Sequence, residues 1–562
     1  MRLHIFGVLF FSLTILCSQE KYPKDVFSPP LDIPLVLAGT FGELRSNHFH
    51  SGIDIKTQRR QGLPVYAIGN GTVTRIKVSL WGYGKALYVA HPNGFTSVYA
   101  HLQKFSPKIE AYIKKQQYKK RSYEIEVFPD YGELQVDQED VIAYSGNTGG
   151  SSGPHLHFEI RSSVTEKPIN PLLFGYEVRD ATSPSLVGLY AYPLSKNAQV
   201  NQSAQKVALN YTKQADGTFL ADKVTAIGTI GFGVIGFDRQ DMAANKNGLY
   251  ALKQTVNGKV YSELNFETFS FGETRYINTF IDYGHFGKYR QRIQKCFKDP
   301  SNKLGIYKSL YLDGKIPVQE GLTYNVQLEM ADIAGNIVKV KIPVQGRREA
   351  LKVEAPDLKT DFFVHANKPN SFDLGAAQVY FPESTFYNDI FLNLKKGQDT
   401  IQIHENTVPL HRNYTITFDV SKYTKEERKQ LFIAEIDTGT PDYSRTYKRE
   451  KSFTTRTRSL GKYTLAKDTL APKVVAKNFK SKQWLSNYRY LSLKISDDLS
   501  GIDSYEAMLN GEWILMEYEP KTSTLTYNFD DKIADKTQCE LKVVVTDNVG
   551  NSTTFEQTFF RK

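Results

Sequence analysis

Residues 153–159 read Gly153-Pro154-His155-Leu156-His157-Phe158-Glu159, and the reading of this stretch decides the fold of the first third of the chain. On a β-strand, residues two apart point to the same face. His155 and His157 therefore project together, while Leu156 and Phe158 turn toward a core. Two imidazoles side by side on one polar strand face point to a metal.

Two further strings work the same way. In Tyr99-Ala100-His101-Leu102, Tyr99 and His101 share one face, and Val98, Ala100 and Leu102 share the other. In His50-Ser51-Gly52-Ile53-Asp54, Ile53 and Ile55 alternate with Asp54, which sets its carboxylate on the open side; Gly52 lets the chain bend between His50 and Asp54. Two His and one Asp give Zn²⁺ three protein ligands and leave a fourth tetrahedral position, as a catalytic site requires. Two histidines are then left to handle protons and to stabilise a developing oxyanion.

Around these strings, from Phe41 to about Tyr176, short β-branched or aromatic runs alternate with Gly-rich turns, so the segment is expected to be a β-domain. Asn70-Gly71, between Val65–Ile68 and Thr72–Ile76, predicts a hairpin. The stretch Ile109–Arg121 reads as a basic helix, taken as a solvated surface insertion rather than a grip on an anionic polymer.

Taken together, His50-x-x-x-Asp54, His101 in Tyr-x-His-Leu, and His155-x-His157 after Ser145-Gly146-Asn147-Thr148-Gly149 resemble the lysostaphin-type, or LytM-like, peptidoglycan endopeptidases. The resemblance spans about residues 38–175 and includes Gly71-Thr72-Val73, Gly82-Tyr83-Gly84 and His91-Pro92-Asn93-Gly94. It implies that His50, Asp54 and His157 bind one Zn²⁺ and that His101 and His155 act beside the metal as the catalytic pair. It implies an N-terminal antiparallel-sheet peptidase domain of the duplicated-hybrid-motif type; with the β-sandwiches that the rest of the chain suggests, the fold is expected to be mainly β. One departure is Glu139, where the family usually has Gly.

The remaining histidines in the region are read as structural. His48 shares the parity of His50 and is assigned to a supporting or surface role, and His91 opens a Pro-Asn-Gly turn. His404-Glu405 fails as a His-Glu-x-x-His site because residue 408 is Val.

At 562 residues the chain is expected to form three to five domains, on a prior of about 100–200 residues each. A hydrophobic fraction of 40%, with 34 Tyr, 34 Phe and only 5 Met, favours β structure. Asp180-Ala181-Thr182-Ser183-Pro184 echoes Asp468-Thr469-Leu470-Ala471-Pro472, and Asp332-Ile333-Ala334-Gly335-Asn336 echoes Asp547-Asn548-Val549-Gly550-Asn551. The echoes resemble the start and end of bacterial immunoglobulin-like sandwiches. The expected division is a peptidase domain over 38–176, a sandwich over 177–346 with an insertion near 235–310, a further sandwich over 347–465, and a last one over 466–562.

Met1, Arg2 and the apolar run Leu3–Leu16 predict a secretory signal over 1–18, with lipidation at Cys17 disfavoured by Leu16 where a small residue belongs. Past residue 21 no apolar run reaches the length of a membrane span. Cys296 and Cys539 are expected to be buried thiols rather than a disulfide framework. The formal net charge of +11 favours anionic envelope polymers, and nucleic acid is a poor partner for an exported chain.

The function these readings favour is a secreted zinc metalloendopeptidase, in the periplasm or at the cell surface, that cuts peptide bonds in peptidoglycan cross-links or stems. The alternatives are a non-catalytic wall-binding regulator that recruits another hydrolase, and an endopeptidase of other proteins. The C-terminal sandwiches are expected to hold an envelope glycan or protein.

Overall fold

The computed structural model describes residues 21–531 and 536–562; the leader read over 1–18, with Cys17, lies outside the described residues. The architecture is mainly β, with antiparallel pairing throughout the N-terminal region. Among the described residues no helix is long and apolar enough to cross a membrane. Cys296 and Cys539 are buried free thiols.

The N-terminal strands are β1 (Leu37–Gly39), β2 (Ile53–Lys56), β3 (Pro64–Tyr66), β4 (Gly71–Val78), β5 (Lys85–Ala90) and β6 (Phe95–Ala100). β7 (Lys104–Phe105), α1 (Pro107–Lys120), β8 (Ile125–Val127), β9 (Gln135–Val136), β10 (Val141–Tyr144), β11 (His155–Ser162) and β12 (Pro168–Ile169) follow. The large sheet runs β1-β2-β11-β6-β5-β4-β8, with β12 on β11 and β9 on β4. A small sheet, β3-β10-β7, packs beside it. β11 is an interior strand between β2 and β6, and the alternation read in the sequence holds along it: Leu156, Phe158 and Ile160 are each fully buried in the core on one face, so the other face is free to carry polar groups.

The expected hairpin at Asn70-Gly71 does not form. β3 pairs with β10 in the small sheet, β4 pairs with β5 in the large one, and the dipeptide carries the chain between them. The turn signal is local, whereas strand pairing was decided by distant partners. Gly71 is needed for a different reason: a Cβ there would lie 2.6 Å from the Ala90 carbonyl oxygen.

α1 starts at an extended Ser106 with Pro107 in the first turn and ends at Arg121 in a left-handed conformation. Ile109 and Ile113 bury one side of it in the peptidase core. Its basic face is in large part the solvated surface expected, with Lys108, Lys115, Lys119 and Lys120 exposed. At one edge the last β unit meets it: Lys114 pairs with Asp531, Arg121 with Glu506 at 2.8 Å, and Tyr118 meets Trp513 with ring centroids 5.3 Å apart.

Buried apolar residues from Phe27 to Val344 form one continuous cluster, so the packing runs without a break through residue 176. Phe41 packs against Phe269, and Phe49 against Phe266 and Phe269, as tilted ring pairs at centroid distances of 5.0–5.5 Å. Separate cores occupy residues 364–463, between two five-stranded sheets, and 479–559, between two four-stranded sheets.

Candidate metal centre

The strand register brings the sequence-predicted residues together. In the pairing of β11 with β2, His157 lies opposite Asp54 and His155 opposite Lys56; in the pairing with β6, His157 lies opposite Ala100, one residue before His101. His50 arrives from the bend before β2. Its position is braced from behind, because the Phe49 N–H donates to Thr274 Oγ1 at 2.8 Å.

His50 Nε2, Asp54 Oδ1 and His157 Nδ1 form a triangle with edges of 3.0, 2.9 and 3.0 Å. Hydrogen accounting shows what this triangle requires. His50 Nδ1 lies 2.8 Å from the Thr40 carbonyl, which only accepts, so Nδ1 carries the hydrogen and Nε2 presents a lone pair. His157 Nε2 lies 2.8 Å from Glu159 Oε1, so Nδ1 presents the lone pair. Two lone pairs and a carboxylate oxygen facing one another in a buried place need a positive charge between them.

A proton on His157 supplies that charge in the metal-free protein. Burial disfavours the charged ring, but hydrogen bonds to Asp54 and Glu159 outweigh it and hold its pKa up at about 9. Burial likewise opposes the Asp54 carboxylate, and the three histidines around it pull its pKa well below the usual range. The donor set of two imidazole nitrogens and one carboxylate oxygen fits Zn²⁺, whose tetrahedral ligands stand about 3.3 Å apart. Asp54 Oδ2, turned away from the triangle, is held by Arg45 at 3.3 Å.

An outer layer that the sequence reading did not assign fixes this arrangement. Glu159 is fully buried, accepting from His157, from Ser51 Oγ at 2.6 Å and from Tyr83 O–H, while its other oxygen accepts from Arg161 Nε at 2.6 Å. Burial opposes the Glu159 charge, but Arg161 and His157 outweigh it and keep the carboxyl ionised. The signal for both residues was present: His155, His157, Glu159 and Arg161 share one parity on β11, so the polar face was four residues long rather than two. Such partners set the ring orientation and basicity of a metal ligand.

His101 and His155 flank the triangle. Their rings are 4.8 Å apart, and His155 Nε2 is 3.4 Å from Asp54 Oδ1. Each is oriented by a backbone carbonyl at 2.8 Å from its Nδ1, Thr148 for His101 and Gly153 for His155. Burial, reinforced by the neighbouring His157 and His155, pushes the His101 pKa down to about 3. His101 also has φ 57°, in the left-handed region that non-glycine residues rarely adopt. Thr148 reaches it because Gly149 (φ 72°) packs against Gly84, where a Cβ would meet the Gly84 nitrogen at 2.4 Å.

The remaining histidines lie outside the triangle. His48 is exposed, with its ring on the Ser46 carbonyl, and His91 joins the Asn70 carbonyl to Ser97 Oγ. The centre opens into a cleft of about 1010 Å³ whose walls include Arg45, Lys56 and Arg59. Phe271 and Thr274, from the segment after residue 176, complete one wall. On the opposite rim, Lys521 of the last β unit donates to the carbonyls of Asn147 and Ser151.

Residues 48–118 and 132–171 match peptidase family M23, and residues 361–468 match a Zu5-like domain. Over 114 residues the chain is 30% identical to lipoprotein NlpD of Yersinia enterocolitica, covering 20% of this chain and 91% of that relative. The chain belongs to peptidase family M23. It is also 34% identical over 129 residues to the DD-carboxypeptidase/endopeptidase Mpg of Neisseria meningitidis serogroup B, 23% of each protein. A third relative, the peptidoglycan DD-endopeptidase ShyB of Vibrio cholerae, is 27% identical over 164 residues, 29% of this chain and 32% of that protein. The chain thus spans about a quarter of the length of the Neisseria relative it matches. The break in the M23 match, residues 119–131, covers the end of α1 and the edge strand β8.

Proposed function

We propose that the protein is an exported zinc metalloendopeptidase that hydrolyses peptide bonds in peptidoglycan cross-links or stem peptides. The observation that carries this reading is the triangle of His50 Nε2, Asp54 Oδ1 and His157 Nδ1, beside two further histidines, at the floor of an open cleft. His50, Asp54 and His157 hold the ion. Zn²⁺ in that position supplies a Lewis acid for the scissile carbonyl and lowers the pKa of water into the neutral range.

The protein's own groups supply the rest. His101 is neutral near pH 7, and with Nδ1–H held by Thr148 its basic nitrogen is Nε2, which takes the proton of the attacking water and returns it to the leaving amine. His155, held on Gly153, directs Nε2 toward the charge that develops on the carbonyl oxygen, and when protonated donates to it. Arg45, Lys56 and Arg59 give the cleft a positive wall suited to the free carboxylates of wall peptides. All five histidine and aspartate positions are filled, which favours catalysis over the recruiting-scaffold alternative.

We further assign the four-domain division and the immunoglobulin-like character of the echoing units as read from the sequence, with the C-terminal units binding an envelope glycan or protein. The test of the activity is digestion of purified peptidoglycan by the full chain, with and without a zinc chelator and beside a His155→Ala variant, with released muropeptides identified by mass spectrometry. Zinc-dependent cleavage that disappears in the variant is expected. Full zinc occupancy without cleavage of the polymer would remove this reading in favour of the regulator.

A further inference from the structure

Among the described residues, three groups of His and Asp side chains bring potential ligand atoms within 4.8 Å of one another. One is the metal centre. A second is formed by Asp180, Asp238 and Asp332, three carboxylates that the sequence scatters over 153 positions and the fold brings together. Asp180 lies on the segment leaving the peptidase region, Asp238 directly follows the strand Val224–Phe237, and Asp332 follows the strand Thr323–Ala331.

Asp238 sets this group apart. The residue is 97% buried, and its carboxyl faces the other two, close enough to Asp180 to share a proton with it; no N–H or hydroxyl donor reaches its Oδ1 among the described residues. No Lys, Arg or His forms an ion pair with any of the three, among the described residues. A buried, unpartnered acceptor beside two more acids is costly unless a proton or a cation lies among them. Burial, with the charges of Asp180 and Asp332, raises the Asp238 pKa to about 7.

The third group, Asp468, Asp497 and Asp547, makes a useful contrast because it stands at the echoing sequence positions. There Asp547 Oδ1 accepts N–H groups from Val549, Gly550 and Asn551, and Asp497 Oδ2 accepts from Leu499 and Gly501. Those oxygens are satisfied by backbone, as are Asp332 Oδ1, which accepts from Asn336 N–H, and Asp180 Oδ1, which accepts from Thr182 N–H; Asp238 Oδ1 is not.

We propose that Asp180, Asp238 and Asp332 form a structural binding site for a hard divalent cation, Ca²⁺ by its all-oxygen donor set. Carboxylates and carbonyls with room for water suit Ca²⁺, and the absence of nitrogen or sulfur donors disfavours Zn²⁺. The placement gives the ion a task. Asp238 and Asn247 close a loop through paired backbone hydrogen bonds, and that loop reaches the peptidase sheet: Gln240 accepts from Leu37 N–H, Asn245 donates to the Ala38 carbonyl, and the Gly248 N–H donates to Thr40 Oγ1. Thr40 is the residue whose carbonyl orients His50. A cation at Asp238 therefore ties the linker after the peptidase region to the loop that steadies a zinc ligand.

The test uses the full-length, zinc-loaded protein with Ca²⁺ alone as the probe, by calorimetric titration and thermal unfolding. One Ca²⁺ per chain and an upward shift of the unfolding transition by roughly 5 °C are expected. Asp238→Asn abolishes both, leaves the zinc content at one per chain, and in the absence of Ca²⁺ unfolds no earlier than wild type, since it removes a repelling charge. Asp180→Asn, on the half-buried linker residue, weakens binding roughly tenfold or more and guards against a folding defect in the first variant. No Ca²⁺ binding by wild type would mean a shared proton instead and would overturn the site, as would unchanged binding in Asp238→Asn or loss of binding in Asp497→Asn.

Discussion

The metal centre and the Asp180–Asp238–Asp332 group are both buried collections of charge, and they are compensated in opposite ways. At the metal centre each charge faces an opposite one in layers: Asp54 against the histidines, His157 against Glu159, Glu159 against Arg161. In the acidic group three carboxylates meet without a base. The first is pre-organised by its own side chains, so the ion finds a rigid site; the second depends on whatever proton or cation lies among its acids.

Breaking the first region at its ion should have the largest effect. Asp54→Ala or His157→Ala is expected to lower peptidoglycan cleavage on the order of 10⁴-fold and to abolish zinc binding, measured by muropeptide release and metal analysis. His101→Ala should lower kcat by roughly 10²–10⁴-fold while zinc stays bound; loss of zinc in that variant would assign His101 to the ligand set instead.

Removing the counter-charge makes the metal centre resemble the acidic group. Arg161→Met leaves the fully buried Glu159 without its cation, and a loss of about 3–5 kcal/mol is expected in urea unfolding. Glu159→Gln keeps the shape, and zinc affinity should fall roughly 10–100-fold, read by competition with a chelating dye.

pH separates the two regions in metal-free protein. His157 is raised from 6.5 to about 9, so its stabilising proton is fully present below about pH 6.5 and lost as pH rises through 9, a contribution of up to about 3 kcal/mol. Asp238 is raised from 3.8 to about 7, so its contribution is present below about pH 4 and lost as pH rises through 7. Unfolding curves at pH 4, 7 and 9.5 should show two separate losses, the upper one cancelled by Zn²⁺ and the lower one reduced in Asp238→Asn, where Asp180, raised to about 6 chiefly by burial, keeps a share.

The smallest effect concerns a position that differs from the family pattern. Glu139 has φ 68°, a conformation glycine adopts without strain, which explains why glycine is usual there. Glu139→Gly should stabilise the protein by up to about 1 kcal/mol without changing activity; a loss of stability would mean that the side chain makes a contact that outweighs the strain.

Whatever strand geometry makes local could be read from the residues in order. Side chains two apart share a face whatever the rest of the fold does, so the paired histidines of β11, the apolar opposite face and the open carboxylate of Asp54 were all legible. The same rule reached Glu159 and Arg161, had the parity been followed two steps further. Only the tertiary structure decided which strands paired, and it overrode the Asn70-Gly71 turn signal, because pairing energy comes from partners far away in the chain. The pairing of Lys114 and Arg121 with Asp531 and Glu506, the cleft wall from Phe271 and Thr274, and the meeting of Asp180, Asp238 and Asp332 have the same origin. Their spacing carries no period, and only packing can bring such groups within reach of one another.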